Sequence, residues 1–146
     1  MLATDTLPAT QQPLSAEALG GCLRLQQTPG VGLLTAHQLL RQFGDTATLF
    51  HAERRALRQC VREDQVSALL APPDAQLAAL LDATLRWQEQ PGHALLAYGS
   101  PGYPPLLARL AAPPLLLYVQ GRCALLTQTA LAVVGARNAS QQRAHV

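Results

Sequence analysis

The chain has 146 residues, 49% of them apolar and 14% charged, with a formal net charge of +2. That balance is too apolar for a disordered segment and too weakly charged for a global basic field to draw the chain onto nucleic acid. Cys22, Cys60 and Cys123 are odd in number, far apart and form no CxxC pair, which argues against a disulfide framework or a zinc site and fits a reducing cytoplasm. The first residues, Met1 to Pro13, lack the basic and long apolar regions of a signal peptide, and no apolar run reaches membrane-spanning length. The expectation is a cytoplasmic protein with no membrane partner. Apart from the histidines every basic residue is an arginine, the side chain best suited to bidentate phosphate contacts.

Residues 1–13 read as a flexible tail. Ser15 caps a first helix with Leu19, Cys22, Leu23 and Gln26 at helical spacing, and Thr28-Pro29-Gly30-Val31-Gly32 stops it. A second helix runs from Leu33 to Phe43 on a stripe of Leu33, Ala36, Leu39, Leu40 and Phe43, with Gly44 as its terminator. Asp45 or Thr46 caps a short turn bearing Leu49 and Phe50. Glu53 to Cys60 and Asp64 to Leu70 read as two short helices. Pro72-Pro73-Asp74 opens a longer one through Trp87, with Leu77, Leu80, Leu81 and Leu85 inward, and Pro91-Gly92 ends it.

The pattern then changes. Ala94 to Tyr98, Leu115 to Val119 and Ala130 to Val134 are continuous apolar runs bounded by turn residues, which suits strands of a parallel sheet buried on both faces. Leu106 to Leu110 reads as one helical turn and Leu125-Leu126 as a connector. The expected class is α/β: a helical domain over 14–90, then the start of a parallel-sheet domain over 91–146. Two or three short strands cannot cover both faces of such a sheet, so the expectation is the N-terminal portion of a longer protein.

The run Val134-Gly135-Ala136-Arg137-Asn138-Ala139-Ser140 reads as a strand end, a Gly-bearing turn, an Arg and a helix cap. The crevice beyond the carboxyl end of such a strand is where α/β sheets hold ligands. One glycine does not make a dinucleotide fingerprint, so the turn points to an anion site in which Arg137 pairs with a phosphate beside Gly135. The competing reading of Arg137 is an ion pair within the fold. Asn138 and Ser140 suit capping of the next helix.

Tyr103-Pro104 with Leu107, then Pro113-Pro114, then Tyr118-Val119-Gln120-Gly121, then Val134-Gly135-Ala136-Arg137-Asn138, resemble in order and spacing the DNA-processing protein A family (DprA, also called Smf). The helical segment, with Pro29-Gly30-Val31-Gly32, is similar to that family's SAM-like, helix-hairpin-helix-flavoured N-terminal domain. The resemblance implies a Rossmann-like domain that binds single-stranded DNA, protects incoming strands in natural transformation and helps load the recombinase RecA. It implies dimerisation through the C-terminal part, no enzymatic activity and no cofactor. It places Gly135 and Arg137 at the matching positions of a DNA-backbone pocket, and Ala136, Asn138 and Ser140 of the same loop complete the expected DNA-binding set. Ala136 stands where the family usually has Ser, and Gln141-Gln142-Arg143 lack the family's later Gly. Two other readings stay open: a Rossmann-like nucleotide-processing enzyme of the phosphoribohydrolase type, and a helical interaction module alone.

Other features have plainer expectations. Pro29-Gly30-Val31-Gly32 could offer amides to a phosphate, but no lysine or arginine lies between Leu25 and Leu40, and a tight helix connection is expected. Arg54, Arg58 and Arg62 share one face if their helix continues; a solvated face partly neutralised by Glu53, Glu63 and Asp64 is expected. His37, His51, His93 and His145 have no metal spacing. Aromatics are too few and scattered to build a base-stacking platform; Tyr103 and Tyr118 are expected around the Pro-rich loops, and Trp87 is expected to dock the last helix.

Overall fold

The computed structural model describes residues 13–132 and 134. Helix α1 (Ala16–Gln27) starts where the Ser15 hydroxyl accepts the Ala18 N–H at 3.2 Å. The chain turns at Gly30, whose φ of 76° an L side chain rarely adopts, and enters α2 (Leu33–Phe43). Gly44, at φ 87°, ends α2 and returns its N–H to the Leu40 carbonyl at 2.8 Å. Asp45 caps α3 (Thr46–Phe50) through the Thr48 N–H at 2.7 Å. Helices α4 (Arg54–Leu57) and α5 (Glu63–Leu70) follow. Asp74 caps α6 (Ala75–Gln88) through the Leu77 N–H at 2.8 Å. No helix among the described residues is long and apolar enough to cross a membrane.

The helix expected to reach Cys60 stops at Leu57. Gln59 and Cys60 donate to carbonyls three residues back, at 3.2 and 2.9 Å, tightening the chain into a turn. Arg54, Arg58 and Arg62 therefore do not form one helical face.

Two apolar clusters share α1. Leu25, Val31, Ala36, Leu39, Leu49, Leu57, Val66 and Leu69 form the first, closed by Leu115 from beyond the helices. Leu19 and Leu23 join Leu95 and Leu116 in the second, against Leu77, Leu80, Leu81, Leu85 and Trp87. Residues two apart lie on opposite sides of a helix, so Leu23 and Leu25 serve different cores. A single stripe through Gln26 was expected; Gln26 is exposed and Leu25 is buried instead. Gly21 lets α1 and α3 touch, since a Cβ there would stand 2.7 Å from Thr46 Cβ.

Strands β1 (His93–Ala97) and β2 (Leu116–Gln120) pair antiparallel, with Leu95 opposite Tyr118 and His93 opposite Gln120. A parallel arrangement buried on both faces was expected. The segment between them folds back through a turn at Leu107–Arg109, and only one face meets α1 and α6. Exposure along β2 is accordingly graded, from buried Leu116 to exposed Tyr118 and Gln120. Of the third expected strand, Ala130–Val134, the described residues join no ladder, and Leu131 and Val134 are 91% and 93% exposed. Extended backbone becomes a strand only where a neighbour takes its N–H and C=O groups. The described residues are thus helical with a small two-stranded antiparallel sheet.

Candidate nucleic-acid interface

The sequence places the phosphate site at Gly135, Ala136, Arg137, Asn138 and Ser140, which lie outside the described residues. What the structure describes is the platform from which that segment departs. Gly121 closes β2 and gives its N–H to the Gly92 carbonyl at 2.8 Å. A helical turn, Cys123–Thr127, follows.

The Tyr and Pro residues singled out in the sequence anchor this platform. Tyr103 is 6% exposed, and its hydroxyl donates to the Pro114 carbonyl at 2.7 Å. Burial, with Tyr98 beside it, pushes the Tyr103 phenol above its ordinary value, so it remains a donor at neutral pH. Tyr98 lies edge-on to Tyr103 at 5.6 Å and to His37 at 4.6 Å. His37, in α2, bonds through Nε2 to the Pro113 carbonyl at 2.7 Å. The Pro-rich loop is thereby tied to the helices directly before β2. Tyr118 is placed differently from expectation. It faces α6 and the loop is held without it.

The arginines divide by partner. Arg54 and Arg58 both bind Glu63, and Arg62 binds Asp64 at 3.1 Å. These contacts hold the Arg58 and Arg62 guanidiniums above, and the Glu63 and Asp64 carboxyls below, their ordinary values. Arg24 donates to the Leu69 and Ala71 carbonyls at 3.1 and 2.9 Å and covers the Phe50 ring at 4.0 Å, fastening α1 to the end of α5. Among the described residues Arg41, Arg55, Arg86, Arg109 and Arg122 have no carboxylate partner.

The Pro29–Gly32 turn is a packed connection. The Gly30 carbonyl accepts from Gln65 Nε2 at 2.7 Å, and Thr28 Oγ1 donates to the Arg24 carbonyl at 2.8 Å. A cleft of roughly 430 Å³ between α1, α3 and α6 contains Arg24 and Asp45, and both are already engaged, one on carbonyls and one as a cap. Among the described residues no three His, Cys, Asp or Glu side chains converge as a metal site.

Two features were missed in the sequence reading. The first is charge placement. All nine carboxylates precede residue 90, Glu89 being the last, whereas 91–146 carries Arg109, Arg122, Arg137 and Arg143 with none. Counting each half separately would have exposed this asymmetry, which favours polyanion contact. The second is an aromatic group assembled from distant segments. Trp87 stacks on His93 at 4.2 Å and meets Tyr118 edge-on at 5.1 Å. Tyr118 Oη lies 3.3 Å from Thr84 Oγ1. No sequence spacing signals that convergence.

Residues 94–146 match the sequence model of the family described as DNA recombination-mediator protein A. This is the family that Tyr103-Pro104, Pro113-Pro114, Tyr118–Gly121 and Val134–Asn138 resemble. Neither the curated proteins nor the solved structures yield a match.

Proposed function

We propose, from the match of residues 94–146 to the sequence model of the DNA recombination-mediator protein A family, that this chain binds single-stranded DNA, protects it and helps deliver it to the RecA recombinase. The match supports a role in DNA processing and recombination. The observation that carries the binding step is that the matched tract holds arginines and no carboxylate. A strand's phosphates would gain attraction along the whole tract, without the repulsion that acidic neighbours impose.

In this reading Arg137 receives a phosphate beside Gly135. Ala136, Asn138 and Ser140 complete the turn, with the helix-start amides as further donors. Such contacts position the backbone without reading bases, so binding is largely independent of sequence. The tract forms part of a Rossmann-like domain, and the SAM-like helical segment over 14–90 is an accessory module. RecA and a second copy of the chain are the protein partners, in the cytoplasm, with no catalytic step and no cofactor. Ala136 in place of Ser supplies one hydroxyl donor fewer than the family's loop.

The test is the anisotropy of labelled oligothymidylate titrated with the 146-residue chain, beside duplex of equal length. Weak, salt-sensitive binding that prefers the single strand is expected. Arg137→Ala should weaken it and lower the salt slope by about 0.7. Absence of binding at low salt would overturn the reading.

A further inference from the structure

We propose that Tyr118, backed by Trp87 and His93, is a base-stacking site for an unpaired nucleic-acid strand; this rests on the single-stranded-DNA reading above. Tyr118 is 49% exposed, although it shares its strand face with buried Leu116. Its ring is held from behind. The edge-on Trp87 ring at 5.1 Å fixes its plane, and Thr84 Oγ1, 3.3 Å from its hydroxyl, fixes its end. Thr84 is anchored in turn by donating to the Leu80 carbonyl at 2.8 Å. His93 covers the Trp87 face at 4.2 Å and bonds through Nδ1 to the Trp87 carbonyl at 2.9 Å. A half-exposed aromatic ring held in place by its neighbours is the element that a flexible strand's bases stack upon, whatever their sequence.

The charge along the surrounding sequence fits that partner. Exposed Arg86 precedes Trp87 on α6, and exposed Arg122 follows Gln120, the strand partner of His93, by two residues. From Arg86 through Arg122 the cations are Arg86, Arg109 and Arg122, against the single carboxylate Glu89. Of these, Arg122 lies nearest in the chain, four residues after Tyr118, and a guanidinium there suits the phosphates that flank a stacked base.

The chain's one tryptophan provides a direct reporter. Oligothymidylate should quench Trp87 fluorescence, and an oligomer of equal length with abasic sugars should quench less and bind about 5- to 100-fold more weakly. Tyr118→Leu, which keeps an apolar side chain on α6, should bind the two oligomers alike and at the abasic level. Tyr118→Phe should retain both the preference and the quenching, which separates stacking from a folding defect. If the unaltered chain binds neither oligomer, the DNA reading itself fails and this site with it. If the unaltered chain and Tyr118→Leu both bind oligothymidylate equally well, the stacking site is overturned and the DNA reading stands.

Discussion

His37 in α2 and Pro113 in the loop before β2 are joined by a buried hydrogen bond of 2.7 Å from imidazole Nε2 to carbonyl oxygen. They are far apart in sequence, and the bond ties the loop before β2 to α2. His37→Leu keeps the volume but removes the donor, leaving the Pro113 carbonyl without a partner. A loss of about 1–3 kcal/mol is expected in urea unfolding. His37→Gln, which can still donate, should lose less.

The two adjacent glycines of α1 should respond in opposite directions. A Cβ at Gly20 would stand 3.5 Å from Leu81 Cδ2, an ordinary contact. Gly20→Ala should therefore gain up to about 1 kcal/mol from helix propensity. A Cβ at Gly21 would be driven into Thr46, and Gly21→Ala should cost about 1–3 kcal/mol by forcing α1 from α3. Equal melting shifts for the pair would contradict this helix contact.

Leu115 is 2% exposed and belongs to the core formed by the helices. Leu115→Ala should cost about 2–5 kcal/mol. Because this residue precedes β2 directly while α1 feeds both cores, helical and sheet signals should melt together in the unaltered chain. Two separate transitions by circular dichroism and Trp87 fluorescence would contradict the shared core.

Asp45 accepts the Thr48 N–H at the start of α3, and that hydrogen bond holds its carboxyl below the ordinary range. A group with a depressed folded value stabilises above its unfolded value, near about 3.9 for Asp, and loses that contribution as pH falls through the folded one. Asp45→Asn should keep the cap yet flatten the acid side of the stability profile below about pH 4. An unchanged profile would remove Asp45 from the acid response.

Arg54 and Arg58 are held by Glu63 on the surface. The double replacement Arg54→Ala, Arg58→Ala should leave oligonucleotide affinity and its salt slope unchanged. A slope lower by about 0.7 per residue would make this face a DNA contact.

The capped starts of α1, α3 and α6 and the glycine end of α2 were readable because their causes are local. Ser15, Asp45, Asp74 and Gly44 act within one turn of where they stand, and each cap falls at its expected position. Strand direction was not readable. An apolar run such as Leu115 to Val119 carries no mark of its partner's orientation, which the structure shows to be antiparallel. Leu25 was missed because a helix serving two cores has no single stripe. At the candidate site, the Tyr103 and Pro114 anchor was legible through the motif. The convergence of Trp87, His93 and Tyr118 depends on tertiary packing of α6 against the sheet and leaves no spacing to read.

The most direct test of the whole account is the salt dependence of oligothymidylate binding by the chain and by Arg137→Ala. The account predicts weak binding whose logarithm falls linearly with the logarithm of salt, with a slope shallower by about 0.7 in the variant. Identical slopes and affinities for the two proteins, or no binding by the unaltered chain at low salt, would contradict it.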